Sequence, residues 1–422
     1  MKGRGMLEGS LTLPPSKSYT HRAVLMASLA RGTSTVGNPL FSRDTGATVS
    51  SCRAMGADIG DEDGRLAITG CGPSAAPSVV NAENSGTTLR FMTSAFALAP
   101  SGYTVLTGDG SVRSRPMQPL LDALGELGVS AISAPGNGRA PVVVKGGGMP
   151  GGRATMRGDV SSQFVSSLLI STPLARRDTD LLVTNPESKP YVDATLSMLR
   201  TFGVRVAAEG HTRFTVESGQ SYTPATFEVP GDFSSAAFIM AAVAMLGGKV
   251  EISGVNPSLP QADSKMVDIV REMGCKVDGG DGRLTVESSG GGLGGGSFDL
   301  GDSPDLLPPL SVLALKCREP LEIRGVAHAR FKETDRIAML AMEISKLGPR
   351  VTEREDGMVI EPCRELRRAS LDAHDDHRLF MAFCLVSMAV PGGCSVEGAE
   401  SVDVSYPGFL GDMKKIGAEV VS

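Results

Sequence analysis

Cations and hydroxyl groups cluster at the start of an apolar segment near the beginning of the sequence. In LPPSKSYTHR, residues 13–22, Lys17, Ser18 and Arg22 directly precede the apolar run AVLMA. The two prolines interrupt whatever precedes them, so a helix that follows carries these groups in its first turns. The N-terminus of a helix offers unpaired N–H groups and a partial positive charge, which favour anions. We therefore expect this segment to form one wall of an anion-binding site.

Similar combinations of small polar and charged residues recur along the chain. They are NSGT at 84–87 with Arg113 and Arg115 in GDGSVRSRPM, SSQ at 161–163 with SKPY at 188–191, Asp305 with RFKETDR at 330–336, and DHR at 376–378. Each has an ordinary structural explanation when taken alone. Serines cap helices, isolated cations are usually solvated, and KETDR has the i,i+3 and i,i+4 spacing of ion pairs on one helix. A functional interpretation therefore requires a fold that brings several of these segments together.

Two histidines in DAHDDHR, His374 and His377, raise the alternative of a metal site. An HxxH pair supplies two imidazoles without a defined third ligand, whereas zinc sites use three or four protein ligands. The seven cysteines are scattered and form no CxxC pair, which disfavours zinc and a disulfide framework. The sequence also shows no signal-peptide core and no apolar run of membrane length. We expect no metal and a reducing, cytoplasmic location.

The elements that must position these groups recur about every seventy residues. One marker is a glycine between an apolar residue and a strand-like tail, which is typical of a helix C-terminus followed by a strand. These glycines are Gly56, Gly128, Gly203, Gly274, Gly348 and Gly417. The second marker is a small polar residue that precedes an apolar helix. It occurs at Ser16, Asn84, Ser161, Asp232, Ser303 and Asp375.

The two markers predict an α/β fold of six repeated units, with two helices in each unit. Six units suggest two domains of three, and the clearest boundary lies at Val229-Pro230-Gly231. The glycine-rich segment 288–302 lacks the GxxxxGK[ST] pattern of a phosphate loop, so we interpret it as a turn between strands. A repeat that gathers the helix starts would create a cleft suited to a ligand with several acidic groups.

Composition excludes some other functions. The chain has 422 residues, which is enough for two or three domains with substantial cores. Its formal net charge of −6 disfavours binding to nucleic acid through a basic surface. The absence of tryptophan and an aromatic content of 5% disfavour stacking platforms for bases.

These motifs closely resemble the 5-enolpyruvylshikimate-3-phosphate (EPSP) synthase family. The matching segments occur in the family's order: PSKSYTHRA, NSGTTLR, GDGSVRSRPM, SSQF, SKPYVDATL, DSPDLLPPL, RFKETDR and DDHRLF. The resemblance implies a two-domain inside-out α/β barrel of the enolpyruvyl transferase type. It has six βαβαββ repeats, three in each domain. The implied domains are residues 14–230 and residues 1–13 plus 231–422.

The resemblance also implies a reaction. Phosphoenolpyruvate gives its enolpyruvyl group to the 5-hydroxyl of shikimate 3-phosphate, and phosphate is released. This step belongs to chorismate and aromatic amino-acid biosynthesis, needs no cofactor, and is inhibited in the family by glyphosate. Both substrates carry a phosphate and a carboxylate, which suit bidentate arginine, and the chemistry needs an acid and a base. The implied enzyme is a monomer with no nucleic-acid or membrane partner.

Carried over by motif, the resemblance assigns site residues. It implies shikimate 3-phosphate contacts from Lys17, Ser18, Arg22, Ser161, Ser162, Gln163, Ser188, Tyr191, Asp305, His328 and Lys332. It implies phosphoenolpyruvate contacts from Lys17, Asn84, Gly86, Arg115, Gln163, Arg336, His377 and Arg378. The implied catalytic residues are Asp305 as the base at the 5-hydroxyl, with Glu333 and Lys17 as candidates for proton transfer to the methylene.

Three positions depart from the family pattern. Val404 stands where many members have a lysine, and Lys414 or Lys415 is a candidate replacement. His328 stands where many have asparagine, and Phe91 replaces a proline. Two alternatives share the repeat architecture: an enolpyruvyl transferase acting on UDP-N-acetylglucosamine, and a protein that processes RNA ends.

Overall fold

The structure, a computed structural model, describes residues 2–3 and 5–419, which form two compact units. The first unit is Pro15–Pro230, and the second unit combines Met1–Pro14 with Gly231–Ser422. The assignment of residues 14–230 and of 1–13 plus 231–422 to two folding domains stays a prediction. Residues 1, 4 and 420–422 of that assignment lie outside the described residues.

The N-terminal strands and the first unit contain the first elements of the chain. The N-terminal strands are β1 (Lys2–Gly3) and β2 (Leu7–Thr12). The strands of the first unit are β3 (Arg31–Gly37), β4 (Asp58–Glu62), β5 (Arg65–Cys71), β6 (Val79–Asn81), β7 (Tyr103–Thr107), β8 (Ala131–Ser133), β9 (Val142–Lys145), β10 (Gly152–Arg157), β11 (Thr179–Thr184), β12 (Ala207–Glu209), β13 (Arg213–Val216) and β14 (Thr226–Glu228). Its helices are α1 (Lys17–Leu29), α2 (Arg43–Met55), α3 (Gly86–Ala97), α4 (Gly110–Ser114), α5 (Gln118–Glu126), α6 (Ser162–Ser171) and α7 (Lys189–Thr201).

The second unit repeats this alternation of strands and helices. Its strands after β2 are β15 (Gly248–Ser253), β16 (Lys276–Gly280), β17 (Arg283–Ser288), β18 (Gly296–Asp299), β19 (Leu321–Arg324), β20 (Val351–Arg354), β21 (Gly357–Ile360), β22 (Ser370–Asp372), β23 (Ser395–Glu397) and β24 (Ala418–Glu419). Its α-helices are α8 (Phe233–Leu246), α9 (Met266–Glu272), α10 (Leu307–Leu313), α11 (Arg336–Ser345), α12 (His377–Ala389) and α13 (Phe409–Lys415). Short 3-10 helices include Ala262–Lys265, Pro304–Leu306, Ala327–Phe331 and Ala399–Val404.

Every four-stranded sheet has the same pattern of one parallel pair followed by two antiparallel pairs. In the first unit the orders are β14-β3-β5-β4, β6-β7-β9-β8 and β10-β11-β13-β12. In the second unit they are β2-β15-β17-β16 and β18-β19-β21-β20, with the further pairs β22-β23 and β1-β24. Among the described residues these sheets remain separate. Strand β2, which precedes α1, joins the second unit, and β14, which precedes α8, joins the first.

The first helix of each repeat is enclosed by other elements. Helix α8, FSSAAFIMAAVAML, has no charged residue and is buried from Phe233 to Met245, as expected for a helix that is apolar all round. Helices α8, α10 and α12 contact one another in the core of the second unit. In the first unit α3 packs against α6. Within each unit, buried helices therefore pack against one another.

The predicted helix ends agree with the structure, and two predicted helix starts are wrong by one residue. All six marker glycines have positive φ and follow helices. The caps are Ser85 and Asp376 rather than Asn84 and Asp375. The Ser85 side chain accepts from Thr88 N, whereas Asn84 donates its Nδ2 to an aspartate elsewhere. The prediction that segment 288–302 is a turn between strands is partly confirmed, because residues 289–295 connect β17 to β18 but the segment also includes β18 itself.

Within residues 2–3 and 5–419, every helix is too short or too polar to span a lipid bilayer.

Candidate active site

Side chains join the N-terminal turns of α1, α3 and α6 in the first unit. Gln163 on α6 donates from Nε2 to Thr87 Oγ1 on α3 at 2.9 Å, and its Oε1 accepts from Arg90 at 2.6 Å. Arg90 also donates to Ser161 Oγ at 3.2 Å. Arg22 on α1 donates to Ser166 Oγ on α6 at 3.4 Å, and this contact links α1 to α6. The predicted convergence of helix starts is therefore confirmed within this unit.

Arg22 is a buried cation with neutral partners. Its side chain donates to Thr195 Oγ1 at 2.8 Å, Ser18 Oγ at 2.6 Å and the Tyr191 carbonyl at 3.0 Å. Its guanidinium carbon lies 5.3 Å from the centre of the Phe91 ring. Burial lowers the pKa of Arg22 to about 10, so it stays charged at neutral pH. Because its hydrogen-bond partners among the described residues are neutral, this cation is suited to an anionic ligand.

Lys17 and His21 differ in charge although both lie on α1. Lys17 Nζ is 3.0 Å from Asp44 Oδ2, and this carboxylate is buried. His21 is fully buried, and its Nδ1 is 2.7 Å from Thr48 Oγ1. Burial, together with Lys17 and Arg22, holds the pKa of His21 well below its usual range. The first turns of α1 therefore present Lys17 and Arg22 as cations, and His21 is neutral.

Gly86 allows an arginine to lie against the start of α3. A Cβ atom at residue 86 would lie 2.6 Å from Arg115 NH1, closer than real contacts permit. Arg115 is buried, and its NH2 donates to Ser111 Oγ at 3.1 Å. Asn84 donates to Asp109 Oδ2 at 2.7 Å, and Asp109 caps α4. The glycine and this polar contact together place Arg115 beside the N-terminus of α3.

The remaining predicted residues of the first unit lie at helix starts. Ser161 caps α6, and Gln163 N donates to its Oγ at 3.3 Å. Ser162 is buried beside it. Ser188 precedes α7 with a φ of 52°, and its carbonyl accepts from Tyr191 N at 3.1 Å.

Arg336 is the centre of a carboxylate cluster in the second unit. Its Nε donates to Asp376 Oδ2 at 2.7 Å, its NH1 to Asp305 Oδ1 at 2.8 Å, and its NH2 to Glu333 Oε2 at 2.6 Å. Only 1% of the side chain is exposed. Burial would lower the pKa of Arg336, but the three carboxylates raise it well above its usual value. Arg336 is therefore permanently charged, and it fixes the positions of all three acids.

Asp305 is surrounded by cations. Besides Arg336, its carboxylate lies 3.0 Å from Arg378 NH2 and 3.6 Å from Lys332 Nζ. Burial raises the pKa of Asp305, but the three cations together hold it well below its usual range. We define the ion cluster as Asp305, Lys332, Glu333, Arg336, Asp376 and Arg378. It contains three cations and three carboxylates, so its formal charge is balanced without a ligand.

Helix α11 holds the loop before α12 at two points. Arg336 at its start binds Asp376, which caps α12. Glu343 near its end is fully buried, accepts from Asp372 N at 3.1 Å and lies 3.3 Å from His374 Nε2. His374 is thus engaged by a structural carboxylate. Groups of three or more His, Cys, Asp or Glu side chains arranged to hold a metal ion are absent from the described part of the chain.

Comparison with known proteins identifies the family. The sequence model of EPSP synthase (3-phosphoshikimate 1-carboxyvinyltransferase) matches residues 1–413. The chain belongs to the EPSP synthase family. The predicted family, transferase class and two-unit inside-out α/β architecture are thereby confirmed, and the two alternative functions are not supported.

Relatives and solved structures of the EPSP synthase family cover nearly the whole chain. The 3-phosphoshikimate 1-carboxyvinyltransferase of Nitrosopumilus maritimus is 44% identical in an alignment of 422 positions, which covers 99% of this chain and 98% of that relative. The enzyme of the same name from Methanocella arvoryzae is 44% identical over 415 residues, covering 98% of this chain and 97% of the relative. The structure of EPSP synthase from Acinetobacter baumannii superposes with a TM-score of 0.82 at 27% identity, covering 99% and 97% of the two chains.

Within the EPSP synthase frame, the departures from the family pattern occupy buried positions. Val404 is 4% exposed at the end of a 3-10 helix, so a lysine there would need the surrounding core to adjust. Lys415, the candidate replacement for the missing lysine, is exposed and forms an ion pair with Asp412 at 2.7 Å. His328 is buried, as is His377 at the start of α12. The substrate contacts predicted for these two histidines stay predictions.

Several residues of the site were not predicted. Asp44, Asp263 and Glu343 are buried carboxylates beside predicted groups, and Asp376 was predicted only as part of DHR. A buried cation implies a nearby acid. The sequence has 47 acidic residues, and only the fold shows which of them lies beside a given buried cation.

Proposed function

We propose that the chain transfers the carboxyvinyl group of phosphoenolpyruvate to the 5-hydroxyl of shikimate 3-phosphate and releases phosphate. The observation that carries the proposal is Asp305, a carboxylate with 14% of its side chain exposed that is contacted by Lys332, Arg336 and Arg378. Such a set of cations suits the phosphates and carboxylates of these two substrates. The names of the relatives support the same reaction.

The residues take complementary roles in binding. Shikimate 3-phosphate is held by Lys17, Ser18, Arg22, Ser161, Ser162, Gln163, Ser188, Tyr191, His328 and Lys332. Phosphoenolpyruvate is held by Lys17, Asn84, Gly86, Arg115, Gln163, Arg336, His377 and Arg378. The buried guanidinium of Arg22, with its neutral partners, supports the first assignment. The packing of Arg115 against Gly86 supports the second.

Substrate anions activate the base. Without substrate, Asp305 is the counter-ion of three cations, and its pKa is held too low for effective proton abstraction. Phosphate and carboxylate groups of the substrates compete for Lys332, Arg336 and Arg378, which weakens the hold of these cations on Asp305. The pKa of Asp305 therefore rises when the substrates bind, and the carboxylate becomes a stronger base at that moment.

The reaction then proceeds by addition and elimination. Asp305 takes the proton of the 5-hydroxyl while the hydroxyl oxygen bonds to C2 of phosphoenolpyruvate. Glu333 or Lys17 delivers a proton to the methylene carbon. The resulting tetrahedral intermediate returns a methyl proton to the group that supplied it, and phosphate leaves with the proton that Asp305 took, which restores the double bond. Protons therefore balance over the two steps.

Phosphate release tests the proposal directly. The chain is incubated with phosphoenolpyruvate and either shikimate 3-phosphate or UDP-N-acetylglucosamine, and free phosphate is measured. We expect release only with shikimate 3-phosphate, together with a product that carries a carboxyvinyl ether. Release only with the nucleotide sugar, or with neither acceptor, would contradict the proposed substrates.

Gly86→Ala should discriminate between phosphoenolpyruvate and glyphosate. The methyl group displaces Arg115, so we expect the KM for phosphoenolpyruvate to rise roughly 3-fold to 30-fold. Glyphosate is longer than phosphoenolpyruvate, so its inhibition constant should rise more than this KM, whereas the wild type should be sensitive. Gly125→Ala is the matched control, since a Cβ there meets nothing within 4 Å. Equal inhibition constants of glyphosate for Gly86→Ala and wild type would show that Gly86 does not line this pocket.

We also propose a monomer in the cytoplasm, without nucleic-acid partners. All seven cysteines lie among the described residues as free thiols, and three of these cysteines are buried. This pattern suits a reducing compartment. Light scattering at several concentrations should return a mass near 43.8 kDa, and a constant mass near twice this value would reject the monomer.

A further inference from the structure

Glu343 is a fully buried carboxylate that the proposed reaction does not use. It lies near the C-terminal end of α11, seven residues after Arg336. Seven residues make about two helical turns, so both side chains project from the same face of α11. Arg336 binds Asp376 in the ion cluster, whereas Glu343 contacts the loop that leads to Asp376.

The Glu343 carboxylate binds both the backbone and a side chain of this loop. Its Oε2 accepts from Asp372 N at 3.1 Å, and its Oε1 lies 3.3 Å from His374 Nε2. Lys346, at the end of α11, donates to both oxygens at 2.7 and 2.6 Å and holds the carboxylate in place. Within the described residues β22 pairs only with β23, so Glu343 satisfies an N–H of β22 that no neighbouring strand uses.

The turn at residues 373–376 contains two consecutive residues in the left-handed region. His374 has a φ of 50° and Asp375 has a φ of 58°. Residues other than glycine rarely adopt this conformation, so the surrounding contacts must maintain it. A hydrogen bond from Asp376 N to the Ala373 carbonyl, at 2.9 Å, closes the turn. Glu343 therefore anchors a strained turn through its contact with His374.

This turn determines where α12 begins. Directly after it, Asp376 caps the helix, and its Oδ1 accepts from Arg378 N at 2.9 Å. The Arg378 side chain reaches the ion cluster, where its NH2 lies 3.0 Å from Asp305 Oδ2. A shift of the turn would move the backbone of Arg378 and its guanidinium with it. The contacts therefore form a continuous path from Glu343 through His374 to Arg378.

We propose that Glu343 is a positioning residue that, through His374, holds Arg378 where it binds phosphoenolpyruvate. The inference rests on the proposed function, because the contact of Arg378 with this substrate is itself a proposal. In this role Glu343 contacts no substrate and acts on the backbone that carries the cation. Misplacement of a binding group by about 1 Å can cost a reaction up to about 100-fold, so a small shift of the turn is sufficient.

Glu343→Gln tests the inference by steady-state kinetics of phosphate release. The amide keeps the size of the side chain, but it removes the charge that pairs with Lys346 and turns one acceptor oxygen into a donor. We expect the KM for phosphoenolpyruvate to rise roughly 3-fold to 30-fold, while the KM for shikimate 3-phosphate stays within about twofold. Glu287→Gln is the matched control, because Glu287 also pairs with a lysine, Lys249, but is 48% exposed. The control should leave both KM values unchanged.

A double-mutant cycle decides whether the effect passes through Arg378. Arg378→Gln alone should raise the KM for phosphoenolpyruvate, and adding Glu343→Gln to it should change this KM by less than about twofold. A general loss of stability would not produce this pattern. An unchanged KM for phosphoenolpyruvate in Glu343→Gln, or a full additional rise in the double variant, would overturn the inference.

His374→Asn is a second variant that answers the same question if Glu343→Gln does not fold. Asparagine adopts positive φ readily, but it lacks the imidazole that contacts Glu343. The KM for phosphoenolpyruvate should again rise while that for shikimate 3-phosphate stays constant. An unchanged KM for phosphoenolpyruvate would overturn the inference. Absence of phosphate release in the wild type would instead reject the proposed function, so the two failures are distinguishable.

Discussion

Replacing Asp305 with asparagine is expected to lower turnover by roughly two to four orders of magnitude. The amide keeps the shape of the side chain but cannot take the proton of the 5-hydroxyl. Shikimate 3-phosphate should still bind, because its proposed contacts with Ser161 and Ser162 are unchanged. Phosphoenolpyruvate should bind at least as well, since Lys332, Arg336 and Arg378 lose an internal counter-ion. Steady-state kinetics and calorimetric binding separate these effects.

Asp302→Asn is the control for this experiment. Asp302 lies in the turn before the 3-10 helix that carries Asp305 and is partly exposed, so the turnover of this variant should stay within about threefold of wild type. Near-normal turnover of Asp305→Asn would exclude Asp305 as the base. Loss of both turnover and shikimate 3-phosphate binding would instead indicate that Asp305 mainly orders the ion cluster.

Arg336→Gln is expected to cause the largest loss of stability. Removal of this buried side chain leaves the buried carboxylate of Asp376 and the partly buried carboxylates of Asp305 and Glu333 without their shared cation. Breaking a buried ion pair costs about 3–5 kcal/mol. For a unit of about 200 residues this lowers the thermal midpoint by roughly 6–20 °C. Scanning calorimetry measures the shift in the transition of the second unit.

The loss should depend on pH in a defined direction. Burial raises the pKa of Asp305, but Arg378, Lys332 and Arg336 hold it well below its usual range. A carboxylate with a lowered pKa stabilises the folded state above its unfolded pKa, near 4, and this contribution fades as pH falls toward the folded pKa. Without Arg336, part of this contribution is missing at every pH above about 4, and the difference between variant and wild type shrinks only as the pH falls below about 4. An equal loss at about pH 5 and about pH 3 would contradict the electrostatic explanation.

Arg213→Gln provides the matched comparison. Arg213 also contacts two carboxylates, Asp180 at 2.8 Å and Glu209 at 3.4 Å, but 43% of its side chain is exposed. Exposed ion pairs contribute about 0–1 kcal/mol. Its thermal midpoint should therefore move by no more than a few degrees. A similar loss in both variants would mean that burial does not set the strength of the Arg336 contacts.

Features with a local physical cause could be predicted from the sequence. A helix that ends before a strand favours a residue with positive φ, so the glycines at 56, 128, 203, 274, 348 and 417 predicted six helix ends correctly. The apolar helices also carried a clear signal, as α8 shows. The motif at Lys17 and Arg22 predicted an anion site because cations at a helix start have few other uses in a buried position.

Features that depend on tertiary contacts could not be predicted. Asp44 binds Lys17 from α2, and Glu343 holds the loop before α12 from the far end of α11. Neither residue lies in a recognisable motif. The cap of α12 was placed at Asp375 instead of Asp376, because both are aspartates and only the contact with Arg336 distinguishes them. Sequence motifs identified the groups that we propose to contact ligands, whereas the residues that hold those groups in place could be identified only from the fold.

The place of β2 in the second unit has a consequence for synthesis on the ribosome. Strand β2 pairs along Leu7–Thr12 with β15, Gly248–Ser253, so its partner is made about 240 residues later. At about 5–20 residues per second, β2 waits roughly 10–50 s for that partner. The first unit is translated in full during this interval, and its ends meet when Ser16 N donates to the Pro230 carbonyl at 2.8 Å. Strand β2 therefore reaches its native pairing only after an entire unit has been made.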